Sequence, residues 1–417
     1  MSQPRLRVAI CGGGVGGLSL AVVLGKYCSD INIDLYEALP QFTEIGAGIS
    51  IWKRTWVILK ELGLDVGLEK LAVEPPVEGM GPGFIFRKSD TSSDGFTFHT
   101  VIVPHGSVTF HRADMLKVLT DNLPPPPMFK AHFRKRLVTY SQPETDGAVS
   151  LHFSDGTSTC ADLLIGADGI KSATRASMYA SMSKREENKE RAQCLSSFIE
   201  ASWSGTYAYR ALVETQKLIN KFPHHQAARS LMMYCGKNKH VVSYPISQGW
   251  EPELIALLDC VESPSKWAIS HILNLPSYTD GPVALVGDSA HAMTTHLGAG
   301  AGQAIEDSFI LGRLLASHHA TKLSISKILQ IYNEVRRPFG NRVVDTSRRS
   351  GFLYEFNDPT EGPTKREISI DFQKLSEAIS KNWEIQWTEL PDTLWNEAQR
   401  LLHLLIEKEG RPILSKY

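Results

Sequence analysis

The 417-residue chain lacks an excess of either charge: 44 basic residues stand against 45 acidic ones, for a formal net charge of -1. Such a balance argues against nucleic acid or an anionic membrane as a partner, since both attract a concentrated positive field. Cysteine is sparse. The six cysteines, at positions 11, 28, 160, 194, 235 and 260, form no C-x-x-C pair and no cysteine-histidine ligand cluster. That argues against a disulfide framework or a zinc site, and it predicts reduced thiols in a cytoplasmic protein. Long apolar runs are missing as well. The nearest approach, Val8 to Gly25 behind Arg5 and Arg7, imitates a secretory leader, yet it holds six glycines and no small-residue cleavage pattern. No other segment is long and apolar enough to cross a bilayer, so no stable membrane association is expected. The final Ser415-Lys416-Tyr417 approaches the peroxisomal S-K-L address but ends in the wrong residue. Internal repeats are absent too.

What is present starts with 42% hydrophobic residues, enough for a large core, and at roughly 150 residues per domain the length predicts two or three domains. The most informative stretch runs from Gly287-Asp288-Ser289-Ala290-His291 through Thr295-His296-Leu297 to Gly298-Ala299-Gly300-Ala301-Gly302-Gln303. An apolar strand, Val283 to Val286, precedes it, so Asp288 falls just past a carboxyl strand end, where ligands of open α/β sheets collect. A carboxylate there can accept a ribose or ribitol hydroxyl. Gly298, Gly300 and Gly302 let the backbone pass close to a flat ring, and a helix from Gln303 to about Leu315 aims its first amides at that ring. Reduced flavin is anionic and suits such a helix start, so the stretch reads as half of a flavin site.

The amino terminus repeats the logic. Leu6 to Ile10 reads as a strand running into Gly12-Gly13-Gly14-Val15-Gly16-Gly17 and the apolar helix Leu18 to Leu24. Gly12 permits the tight turn, Gly14 admits a pyrophosphate, and Gly17 allows close helix–strand packing. The next strand, Ile31 to Tyr36, delivers Glu37 at the offset expected for a carboxylate on a ribose hydroxyl.

Two segments of another character interrupt this α/β pattern. The first follows Pro75-Pro76 and carries alternating runs at Phe84-Ile85-Phe86 and Phe96-Thr97-Phe98, before His111-Arg112-Ala113-Asp114 opens a helix through Leu119. The second begins at a charged linker, Lys184 to Arg191, and contains strand-like runs at Tyr207 to Val213, His240 to Ile246 and Leu254 to Leu258. The expected organisation is α/β: a discontinuous Rossmann-like cofactor domain (1–75, 105–180, 280–345), an inserted mixed-sheet substrate domain (76–104, 181–279) and a C-terminal helical segment (346–417).

Between the interruptions, Asp162-Leu163-Leu164-Ile165-Gly166-Ala167-Asp168-Gly169 leads an apolar strand into an Asp-Gly turn, with Ser172 and Arg175 at helix-start spacing. With Gly12–Gly17 and Gly287–Gly302, this constellation resembles the class A FAD-dependent aromatic monooxygenases, and most closely their salicylate hydroxylase-like members. Glu44-Ile45-Gly46-Ala47-Gly48-Ile49 and Tyr332-Asn333-Glu334-Val335-Arg336-Arg337-Pro338 add to the likeness, which spans roughly positions 5 to 345.

The resemblance implies a fold with non-covalent FAD, in which Glu37 holds the adenosine ribose and the backbone at Ala47 and Gly48 runs beside the flavin. It also implies that Arg112 reaches the pyrophosphate region, that Asp168 and Gly169 serve FAD and a transient nicotinamide, and that Asp288, Gly300 and Ala301 hold the ribitol and ring. From the residues alone, Arg112 also reads as a solvated arginine on a helix's first turn, and Asp168 as a turn carboxylate. NADH or NADPH and O2 are the implied co-substrates, with a flavin C4a-hydroperoxide delivering oxygen to a small phenolic or benzoate-type ring. Hydroxylation with loss of carboxylate is one branch of that chemistry, as for salicylate or aminobenzoate. Dearomatising hydroxylation of a phenol is another, and a flavin reductase or redox sensor without oxygenation is a third. The oligomeric state stays open, a homodimer included.

For substrate, Arg210 and Tyr244 are the candidates by likeness to relatives that place an arginine and a tyrosine near the substrate oxygen. A guanidinium can pair with a carboxylate or phenolate, and a tyrosine can donate to the same oxygen. Period-two alternation puts Arg210 with Thr206 and Ala208, opposite Tyr207 and Tyr209. Arg210 also reads as a surface cation on an edge strand, Tyr244 as a half-buried core tyrosine, and His240 as a structural histidine. His296 either lines the pocket or forms a hinge. Relatives usually carry proline where this chain has Thr295; threonine restores an N–H and frees φ, so the pocket floor is expected to differ.

Overall fold

A six-stranded sheet, its central strands built of buried Val, Ile and Leu runs, takes the order Thr279–Asp280, Val283–Leu285, Leu163–Gly166, Leu6–Cys11, Ile31–Tyr36 and Phe129–His132. All neighbours are parallel except the Thr279–Asp280 edge, which turns back on Val283–Leu285. The computed structural model describes residues 3–43, 48–92, 94–142, 147–211, 220, 222–223, 226–245, 265–358, 360 and 370–410. Register decides where chemistry gathers. Cys11 pairs with Gly166, and Gly166 with Leu285, so three parallel strands end at one level. The glycine turn, the Asp-Gly turn and the Gly-Asp turn therefore leave the sheet side by side, at the edge where α/β sheets bind ligands.

Two helices cover the sheet above these turns. Val15–Tyr27 packs on Gly300–Ala316, and the Ser308 hydroxyl donates to the Gly16 carbonyl at 2.9 Å. A second, mixed sheet runs Lys239–Ser243, Met232–Gly236, Met80–Lys88, Phe96–Pro104, parallel only between Met232–Gly236 and Met80–Lys88. Chain from both interruptions thus meets in one sheet. Its inner face joins Phe84, Phe86, Val101, Val103 and Cys235 to Trp52, Leu297, Tyr354 and Trp383, a core separate from that of the large sheet. The helix Ile325–Tyr354 runs unbroken past Pro338 and touches both cores, and Phe372–Trp383 and Pro391–Lys408 close the described chain.

Several expectations need correction. Lys184 to Arg191 is not a linker but a helical hairpin: Ala173–Arg185 ends there, and Asn188 caps Lys189–Ser196 by accepting from the Arg191 N–H at 3.0 Å. The strand Met232–Gly236 was not expected, and the run at Leu254 to Leu258 lies outside the described residues. The strand at Tyr207 begins earlier, at Ser202, and ends at Arg210. Among the described residues no helix is long and apolar enough to cross a membrane.

Candidate active site

The glycine turn is shaped by contact. A Cβ on Gly12, whose φ is +110°, would lie 2.2 Å from the Ala167 carbonyl oxygen, so this turn and the Asp-Gly turn touch through backbone alone. A Cβ on Gly17 would lie 2.0 Å from the Gly12 carbonyl oxygen, which lets the helix start sit on the strand end. Glu37, at the end of Ile31–Tyr36, bends back over the turn. Its carboxylate accepts the Gly13 N–H and the Leu39 N–H, each at 2.7 Å.

The helices Val15–Tyr27 and Gly300–Ala316 begin at Gly14 and Ala299 with no side-chain cap and no acidic residue in the first turn. Ser172, Asn188 and Asp371 cap other helices, while the starts at Trp52, Ser324 and Leu390 are also without a side-chain cap. Uncapped starts leave N–H groups and the positive dipole end for an anion. Asp288 is exposed beside the second start, with an oxygen 3.8 Å from where a Gly300 Cβ would stand. Ala301 follows in that first turn. These features fit a dinucleotide of FAD type: a carboxylate at each end and two anion-facing helix starts between them.

Asp168 is committed differently. Its carboxylate accepts the Thr174 N–H at 2.9 Å, the Thr174 hydroxyl at 3.0 Å and the Ser172 hydroxyl, which fastens the start of Ala173–Arg185. Burial pushes its pKa up, and those hydrogen bonds pull it partly back. Gly169, with φ at +77°, then exposes backbone rather than a side chain to the sheet edge.

On the substrate side, Gly48 opens the strand Gly48–Ile51, and its carbonyl accepts the Tyr244 hydroxyl at 3.3 Å. Tyr244 stands edge-on to Phe84, with ring centroids 6.2 Å apart. Burial pushes the Tyr244 phenol up, while the positive charges of Arg210 and Arg112 pull it back. Arg210 lies exposed at the end of its strand with its guanidinium 5.4 Å from the Trp267 ring, and Arg112 opens the helix Arg112–Asp121. The alternation holds as far as Tyr209, with Tyr207 and Tyr209 exposed and Thr206 and Ala208 half-buried, but Arg210 at the strand end is exposed as well, so burial does not set it apart from the tyrosines.

His296 sits apart from that group. Thr295–Leu297 is one turn of 3-10 helix, and the His296 Nδ1 lies 3.1 Å from the Ser347 carbonyl and 3.0 Å from the Thr294 hydroxyl. Its ring fills the space left by Gly351 and lies 5.1 Å from the His240 ring. Burial, with His240 adding to it, pushes the His296 pKa down to about 3, so the imidazole is neutral. His240 in turn pairs with Glu355 at 3.0 Å. Glu37 with Gly13, Asp288 with Gly300, and Tyr244 with Gly48, Arg112 and Arg210 are thus brought together, His296 pairs with His240, and Ala47 lies outside the described residues.

Sequence reasoning gave no role to a buried ionic cluster under the cofactor edge, formed by Arg54, His291, Glu306, Asp307 and Arg336. The signal was there: two adjacent carboxylates inside a mostly apolar helix pattern, Ala304 to Leu315.

Comparison with known proteins agrees with this geometry. The sequence profile of the FAD binding domain family matches residues 5–255 and 256–347. Salicylate hydroxylase of Pseudomonas putida is 33% identical, with 92% of each chain covered. The 6-methylsalicylate 1-monooxygenase atA of Aspergillus terreus is 30% identical over 99% of this chain and 92% of the relative. Among solved structures, a salicylate hydroxylase substrate complex superposes with a TM-score of 0.77 at 27% identity, covering 95% of this chain and 98% of that one. The chain belongs to the FAD binding domain family and is a salicylate hydroxylase-like, FAD-dependent aromatic monooxygenase.

Proposed function

We propose that the enzyme hydroxylates a small phenolic ring bearing a carboxylate, with NAD(P)H and O2, and that the carboxylate-bearing carbon is the site attacked. The observation that carries this reading is the meeting of the Tyr244 hydroxyl with the Gly48 backbone inside the field of Arg210 and Arg112. FAD supplies electron transfer and oxygen activation when bound; the chain supplies binding and orientation. Glu37 and Asp288 accept cofactor hydroxyls, the starts at Gly14 and Gly300–Ala301 face its anionic parts, and Gly12 and Gly17 let the backbone come close. Ala47 and Gly48 run beside the ring, Arg112 serves the pyrophosphate side, and Asp168 holds the Asp-Gly turn in shape. Arg210 pairs with the substrate anion, Tyr244 holds the ring oxygen, and the neutral His296 shapes the wall behind the Thr295 turn. We further assign residues 76–104 and 181–279 to the substrate domain and the flanking segments to the cofactor domain.

The likeness to salicylate and 6-methylsalicylate enzymes favours decarboxylative hydroxylation over dearomatisation. A panel of phenols and hydroxybenzoates, with product mass and evolved carbon dioxide both recorded, tests it. Hydroxylated product with one carbon dioxide per turnover is expected from a 2-hydroxybenzoate. Rapid NAD(P)H oxidation with no oxygenated product across the panel would point to a reductase and overturn the proposal.

A further inference from the structure

Five ionisable side chains, Arg54, His291, Glu306, Asp307 and Arg336, are buried together beneath the cofactor edge, each with its side chain at most 2% exposed. Arg54 grips both Glu306 oxygens, at 3.1 and 2.8 Å. Arg336 donates to Glu306 at 3.2 Å, to Asp307 at 2.7 Å and to the Gln303 side chain at 2.8 Å. Asp307 accepts the Gly287 N–H at 2.9 Å, and His291 lies 2.5 Å from the same oxygen. Two arginines balance two carboxylates. The His291 ring faces Asp307 through Nε2, and its Nδ1 is buried without a hydrogen-bond partner.

Stability alone is a poor reason to bury five such groups, because desolvating each ion is costly and a well-packed apolar replacement is often as stable. The connections suggest another reason. Asp307 holds Gly287, one residue before Asp288; Gln303 belongs to the helix turn that starts at Gly300; and Arg54 follows the strand Gly48–Ile51 by three residues. These contacts thus end one residue from Asp288, two from Ala301, and three beyond the strand that Gly48 opens.

We propose that this chain of charges is a positioning network that holds the Gly-Asp turn, the Gly300 helix start and the Gly48 strand in register, so that residues away from FAD set its affinity and its ease of reduction. The proposal rests on FAD being the cofactor. Asp307→Asn removes a negative charge and Arg336→Met a positive one. Both should weaken FAD binding to the apoprotein by at least about tenfold, read by flavin fluorescence titration. Their midpoint potentials should move in opposite directions, upward for Asp307→Asn and downward for Arg336→Met, because an anionic reduced flavin is eased by the first loss and penalised by the second.

A paired variant separates positioning from folding. Arg54→Met with Glu306→Leu keeps the charge balanced and fills the space, so the apoprotein should melt at or above the wild-type temperature while FAD binding still weakens at least about threefold. If the apoprotein melting temperatures fall but FAD affinity and potential stay at wild-type values, the network is structural only and the proposal is wrong. If Asp307→Asn or Arg336→Met does not fold, the paired variant decides alone. A wild-type chain that takes up no FAD would instead remove the cofactor assignment, and the proposal with it.

Discussion

Asp288 brings an exposed carboxylate to the start of the Gly300 helix, where no other acidic residue stands in the first turn. Asp288→Ala should therefore weaken FAD binding roughly thirtyfold, the weight of about one charge-assisted hydrogen bond. Flavin retained through gel filtration checks it. Arg210 and Tyr244 act at a different stage. Arg210→Ala and Tyr244→Phe should leave FAD binding near wild type but lower product formed per NAD(P)H consumed, with hydrogen peroxide making up the difference. Coupling held at the wild-type value in both would assign Arg210 to the solvated surface and Tyr244 to the core. At this scale the sequence was most legible where function depends on offset along the chain. Glu37 could be placed because a strand of known length carries it back over the glycine turn, and its carboxylate does meet Gly13. The setting of His296 could not be read, because it depends on Gly351 and Ser347 from a helix distant in sequence.

Whole elements were legible where their periodicity is clean. Ile31–Tyr36 alternates from Ile31 through Leu35, with Ile31, Ile33 and Leu35 buried, and the strand runs where that pattern puts it. Met232–Gly236 shows no alternation because it is buried on both faces between two partners, so nothing in its pattern separates it from a short helix segment. The charged run Lys184 to Arg191 looked like a linker for the converse reason: both helices there leave a solvated face, and only the Asn188 cap marks the second start. Close approach at the first helix gives an element-scale prediction. A Cβ on Gly17 meets the Gly12 carbonyl at 2.0 Å, whereas one on Gly16 would make only ordinary contacts, with the Ala304 methyl at 3.5 Å and Val286 at 3.7 Å. Gly17→Ala must push the helix off the strand end, at a cost of roughly 1–3 kcal/mol, and should lower the melting temperature and lose FAD. Gly16→Ala should keep both. Equal behaviour of the two variants would show that this helix start does not depend on close packing.

Across the whole molecule, burial lowers the pKa of His99, His105, His271 and His296, the last to about 3 against an ordinary 6.5. Each folded-state imidazole then holds fewer protons than its unfolded counterpart below that ordinary value. The sign follows: stability is complete above about pH 6.5 and is lost progressively as pH falls, because protonation favours the unfolded chain. The loss from His296 continues down to about pH 3, which makes it the largest single histidine contribution among the described residues, on the order of a few kcal/mol. Asp30, Asp90, Asp162 and Asp307, whose pKa values are held down by ion pairs and hydrogen bonds against the opposing effect of burial, add the same sign at lower pH. Melting curves from pH 7.5 to pH 4.5 should therefore fall steadily, with free FAD appearing in the supernatant as the fold opens, since the cofactor is bound without a covalent link. His296→Gln keeps a polar group beside Ser347 but cannot titrate. It should melt lower than wild type at pH 7.5, where the lost packing against Gly351 is felt, and lose less on going to pH 4.5. A variant whose melting temperature runs parallel to wild type across that range would show that His296 takes up no extra proton on unfolding, and the acid sensitivity would then lie with the other buried groups.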